Sequence, residues 1–110
     1  MNSYKLVQND RMKLLTKLKS NSVQLIITSP PYNIGKSYEK KKPFELYLKE
    51  QEKTLIECFR VLKKKGSLCW QVGSYFEKSE LYPLDIFLYE ICKKIGFKLR
   101  NRIIWHFEHG

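Results

Sequence analysis

The 110-residue sequence has only five glycines, and no two of them stand close enough to form the G-x-G of a cofactor-cradling turn. Its three cysteines, Cys58, Cys69 and Cys92, are odd in number, widely spaced and without a C-x-x-C pair. Neither a disulfide framework nor a zinc site is suggested, and the thiols read as reduced, mostly buried small hydrophobes. No apolar run approaches the roughly 20 residues that span a bilayer; the longest are short groups such as Leu25-Ile26-Ile27 and Ile86-Phe87-Leu88-Tyr89. The amino terminus, Met1-Asn2-Ser3-Tyr4-Lys5, leads into a mixed polar segment and lacks the pattern of a secretory signal. The expectation is a cytoplasmic protein with no membrane partner.

Acidic residues are also scarce: 11 Asp and Glu face 21 Lys and Arg, a formal net charge of +10. A basic face condenses onto nucleic-acid phosphates by releasing counterions, so the imbalance fits a polyanionic partner. It equally fits a solvated lysine-rich surface. The chain is 43% hydrophobic and 14% aromatic, which excludes a disordered tail. At this length a single domain over residues 1–110 can form a core, and separate cofactor and substrate domains are excluded within the chain.

The hydrophobic period alternates between 2 and 3.6, with turn residues at the switches. Residues 4–8 read as a short strand, and residues 10–19 as a helix capped by Asp10. Residues 23–28 form an apolar run ending at a proline pair, as expected of a buried parallel strand. Residues 29–43 read as a long loop. A helix follows from Phe44 with Leu48, Gln51, Leu55, Phe59 and Leu62 on one face, stopped by Lys63-Lys64-Lys65 and Gly66. Residues 67–72 are expected as a strand, 73–83 as a loop, 84–95 as a helix and 98–107 as a strand. The order β-α-β-α-β-α-β predicts an α/β fold, a partial doubly wound and mostly parallel sheet. Ligands in such sheets sit beyond the carboxyl ends of strands, which points to the segments after Thr28 and after residue 72.

Thr28-Ser29-Pro30-Pro31-Tyr32 lies at the first of these edges. Two successive prolines fix φ and remove two backbone donors, so carbonyls are presented from a stiff turn. Ser29 adds a hydroxyl and Tyr32 an aromatic face, a set suited to a planar group bearing an amine, such as a nucleobase. With the flanking blocks Asn21–Gly35, Cys58–Leu68 and Gly96–His106, the sequence resembles the amino-specific DNA methyltransferases, whose signature is [Asp/Asn/Ser]-Pro-Pro-[Tyr/Phe/Trp].

The resemblance implies a methyltransferase Rossmann-like fold, S-adenosylmethionine as cofactor and double-stranded DNA as partner. It assigns catalysis to Ser29, Pro30, Pro31 and Tyr32: the Ser29 oxygen and the Pro30 carbonyl accept hydrogen bonds from the exocyclic amine of a flipped base, and Tyr32 stacks on that base. Serine at the first motif position favours cytosine N4 over adenine N6. Asp10 stands where the family often has an acidic residue near the cofactor's adenosine, and reads equally as a helix cap. Lys36, Lys40, Lys41 and Lys42 are candidate phosphate contacts or a solvated run, and Gly73 and Ser74 are candidate pocket-lining residues or a simple turn. Trp105 reads as packing, and the His106/His109 spacing is too weak for a metal site. The family's Phe-x-Gly-x-Gly cofactor loop is absent, and the sequence ends about where the target-recognition region is expected. This implies a catalytic fragment, with a second polypeptide carrying the missing loop among the readings. A basic nucleic-acid-binding module and an inactive remnant are the rivals.

Overall fold

The computed structural model describes residues 3–31, 33, 42–106 and 108. In chain order it contains α1 (Arg11–Leu15), β1 (Val23–Thr28), α2 (Phe44–Val61), β2 (Leu62–Trp70), β3 (Ser74–Glu77), β4 (Glu80–Pro83) and α3 (Leu84–Ile95). Strands β1 and β2 pair in parallel, and β3 and β4 form an antiparallel hairpin. The α/β class and the parallel pairing agree with the sequence pattern. Among the described residues, no helix is long and apolar enough to cross a membrane.

Helix α2 organises the core. Tyr47, Gln51, Thr54, Leu55, Cys58 and Val61 are buried along one stripe at helical spacing. Tyr47 and Leu55 join Leu84 and Leu88 of α3 and Tyr75 of β3 in the central cluster, with Leu68 and Trp70 of β2 packed against it. The buried face is rotated from the expected one: Phe59 is 44% exposed and packs at the rim, against Gly96 and T-shaped to Phe97 at 4.9 Å between centroids. At the start of α2, Phe44 stacks on Tyr75 at 4.9 Å and meets Phe87 edge-on at 5.1 Å, fastening the hairpin to both helices.

Four expectations are corrected. Residues 73–83 hold a hairpin rather than a loop: Tyr75 pairs with Tyr82 across a two-residue turn in which Lys78 and Ser79 both have positive φ. Gly66 does not end α2. The helix stops at Val61 and the chain passes directly into β2, where Val23 pairs with Leu62 but Leu25 pairs with Ser67. The lysine run and Gly66 therefore fill a bulge. A Cβ at Gly66 would meet the Gln24 carbonyl at 2.9 Å, so the glycine is needed there for space. Residues 4–8 and the described part of 98–107 form no strand, and Ile103, Ile104 and Trp105 are largely exposed. A strand needs a neighbour to take its backbone groups, and the described residues supply none at those positions; Trp105 is thus not a packing residue here. The first helix is also shorter than expected, because no residue of α1 is buried.

The β1–β2 pair is covered on one side only. Ile26, Leu68, Thr28 and Trp70 are half-buried on the helix side, whereas Leu25, Ser67, Ile27 and Cys69 are exposed on the other. Parallel sheets are normally covered on both faces, so among the described residues one apolar face of this pair lacks its usual cover.

Burial also sets the thiol chemistry. Desolvation pushes Cys58 up to about 11 from an ordinary 9.0, the nearby Arg11 guanidinium partly opposing it, and desolvation pushes Cys92 to about 11 as well. Unfolded thiols lose their protons near pH 9 while the native ones hold theirs to about 11, so the native state binds more protons between those values. The stabilisation is fully present below pH 9 and is lost as pH rises towards 11. Urea midpoints measured from pH 8 to 10.5 are expected to fall, and to fall less steeply in Cys92→Ala; equal slopes would refute the assignment.

Candidate functional site: a proline turn held at the carboxyl edge of the parallel strands

Thr28 and Trp70 are register partners at the carboxyl ends of β1 and β2, and the Gln71 amide donates to the Thr28 carbonyl at 2.9 Å, extending the ladder by one residue. The two segments named by the sequence argument therefore leave the sheet side by side. On one, Ser29 is exposed, Pro30 is buried and Pro31 is half-buried. On the other, Val72 and Gly73 are half-buried before β3 begins at Ser74.

Two side chains that sequence reasoning did not single out hold this turn. The buried Tyr47, in the first turn of α2, donates its hydroxyl proton to the Pro31 carbonyl at 2.6 Å. Asn33 is 1% exposed with φ 64, a left-handed conformation that asparagine tolerates. Its Nδ2 donates to the Lys42 carbonyl at 2.8 Å, and its Oδ1 accepts from the Lys42 amide at 2.9 Å. The loop's two feet are thereby tied to each other, while Tyr47 ties the proline turn to α2. The available signals were an asparagine directly after Pro-Pro-Tyr and a polar-tipped aromatic in the first turn of the next helix.

The other predicted residues fall as follows. Tyr32, Lys36, Lys40 and Lys41 lie outside the described residues. Lys42 has its ammonium on the Glu50 carboxylate, an ion pair within the chain. Asp10 is exposed and accepts from the Met12 amide at 2.9 Å, so it caps α1. Gln51, one turn beyond Tyr47, and Trp70, at the end of β2, bury Oε1 and Nε1 without a hydrogen-bond partner. An open groove of about 430 Å³ lies elsewhere, between α2 and α3, lined by Ile56, Phe59 and Ile95 with Glu52, Arg60 and Lys94, and it takes nothing from the proline turn.

Chemically, the described residues of the turn offer hydrogen-bond acceptors and no titratable acid or base. Ser29 presents a hydroxyl and the prolines present carbonyls, a set that can receive N–H groups without carrying charge. The sequence has no glycine pair of the spacing that cradles the methionine part of a cofactor, and Asp10, the candidate for the adenosine side, engages Oδ1 as a helix cap.

Comparison with known proteins agrees with the fold and the family resemblance. The model of a DNA methylase family matches residues 23–110. The chain is 45% identical over 107 residues to the Type II methyltransferase M.BglII of Bacillus subtilis, covering 96% of this chain and 30% of that protein. It is 31% identical over 106 residues to the DNA adenine methyltransferase YhdJ of Escherichia coli, covering 94% and 33%. Among solved structures, a DNA modification methylase of Thermus thermophilus, complexed with S-adenosyl-L-methionine, superposes with a TM-score of 0.68 at 29% identity, covering 81% of this chain and 39% of that one. The chain thus spans about a third of the length of these proteins.

Proposed function

The chain belongs to the DNA methylase family, and from that premise we propose that it is the base-holding part of an S-adenosylmethionine-dependent DNA methyltransferase acting on an exocyclic amine, cytosine N4 in preference to adenine N6. The observation that carries the reading is the Ser29-Pro30-Pro31 turn, fixed by Tyr47 at the carboxyl edge of the parallel strands. An exocyclic amine is a poor nucleophile because its lone pair is delocalised into the ring. Two acceptors in fixed positions draw it towards tetrahedral geometry: the Ser29 oxygen and the Pro30 carbonyl take its two N–H bonds. The base must leave the duplex to reach them, and Tyr32 stacks on it to offset part of the unstacking cost. The rate then rests on orientation of the amine.

This chain supplies the acceptors and not the cofactor cradle. The remaining part, in the same polypeptide or a second one, carries the glycine-rich loop and the target-recognition region and covers the bare face of β1 and β2. Exposed apolar Leu25 and Ile27 on that face, and a chain about a third as long as its relatives, support this partner over a second copy of the chain. The excess of basic residues supports duplex DNA as substrate, and so a cytoplasmic location.

The test is transfer of labelled methyl from S-adenosylmethionine to duplex DNA, followed by digestion and separation of nucleosides. The chain joined to the cofactor-side part is expected to label N4-methylcytosine, and the chain alone to label nothing. Label in methyladenine would overturn the choice of base. Absence of label from the completed enzyme would overturn the catalytic reading and favour a binding module.

A further inference from the structure

We propose that Tyr47 is a positioning residue for methyl transfer: its hydroxyl engages the Pro31 carbonyl and so fixes the proline turn whose Pro30 carbonyl accepts from the target amine. This rests on the base-holding reading given above.

In a proline pair both φ angles are set by the rings, leaving ψ as the soft torsion of each residue. The ψ of Pro31 swings its carbonyl, and the 2.6 Å bond from Tyr47 fixes where that carbonyl points. Tyr47 is itself well anchored. It is 3% exposed, its amide makes the first helical bond of α2 to the Pro43 carbonyl at 3.0 Å, and its ring packs in the core with Phe44 and Tyr75. A donor held by the core of the fold thus sets the last torsion of the turn. Beyond the following residue, Asn33 is bound through both side-chain polar atoms to Lys42, so the chain is fixed again two residues on.

Tyr47→Phe removes the hydroxyl and keeps the packed ring. In the completed enzyme kcat is expected to fall about tenfold, with KM for DNA and for S-adenosylmethionine within twofold of wild type. In the chain labelled with carbonyl-13C proline, which has four proline carbonyls to resolve, the Pro31 resonance is expected to move upfield in the variant while the Pro43 and Pro83 resonances stay in place. Wild-type kcat in Tyr47→Phe, or an unmoved Pro31 resonance, would overturn the proposal. If the variant does not fold, a slowly exchanging Tyr47 hydroxyl proton close to Pro31 is sought in the wild-type chain, and its absence has the same force. Ser29→Ala separates the two readings. If Ser29→Ala is fully active, the base-holding reading fails; if it is inactive while Tyr47→Phe is unimpaired, only the positioning role fails.

Discussion

Ser29→Ala is expected to lower methyl transfer by the completed enzyme at least a hundredfold while leaving the fold of the chain unchanged. Ser29 follows the last residue of β1 and is exposed, so little packing is lost with its hydroxyl. On the proposed base-holding reading, what is lost is one of two acceptors that reshape the amine as it attacks. Removing one preorganised hydrogen-bonding partner of a reacting group costs about 10²–10³ in rate. Tyr32→Ala is expected to be comparably impaired through a different route, because stacking of a flipped base on an aromatic ring is worth about 1–3 kcal/mol and also sets the plane of the amine. The two can be told apart. In duplexes carrying 2-aminopurine at the target position, Tyr32→Ala should reduce the fluorescence change that reports the flipped base, and Ser29→Ala should preserve it. Near-wild-type transfer by either variant would refute the pocket assigned to this turn.

The proline turn was legible because its chemistry is local: Pro-Pro fixes the backbone wherever it stands, and an apolar run before it reads as a buried strand in isolation. The residues that hold the turn were not legible in that way. Tyr47 acts on Pro31 across 16 positions, and its burial depends on the rotation of α2 about its axis. That rotation is set by contacts with α3 and the hairpin, not by the helical period alone. The hairpin was missed because its turn, Lys78-Ser79, lacks the glycine or asparagine that normally supplies positive φ; stacking of Tyr75 on Phe44 fixes the conformation instead. The lysine run and Gly66 fit a helix stop by composition, and only the register of β2 against β1 shows them in a bulge. The flanking strands failed for the opposite reason. Residues 98–106 have strand-like composition but no partner edge among the described residues, and Arg102 is held at the surface by an Asp85 carboxylate at 2.8 Å.

Ile27→Lys is expected to leave the chain folded and to abolish transfer, by at least a hundredfold, when the cofactor-side part is supplied in trans. Ile27 is 72% exposed on the bare face of the sheet, beside Cys69 in register, with Leu25 51% exposed two residues before it. A lysine there stays solvated in the isolated chain, so the helix-covered core does not register the change. On assembly the same ammonium would have to enter an apolar layer without a partner, and burying an unpaired charge costs several kcal/mol, more than a hundredfold in association. Cys69 reports the same event without a mutation at Ile27. It is exposed, whereas Cys58 is buried and Cys92 half-buried, so an aromatic disulfide reagent should label Cys69 first in the isolated chain. Adding the cofactor-side part should slow that labelling, and Ile27→Lys should restore it. Unchanged Cys69 reactivity in an active, completed enzyme would show that the partner leaves this face open and docks elsewhere.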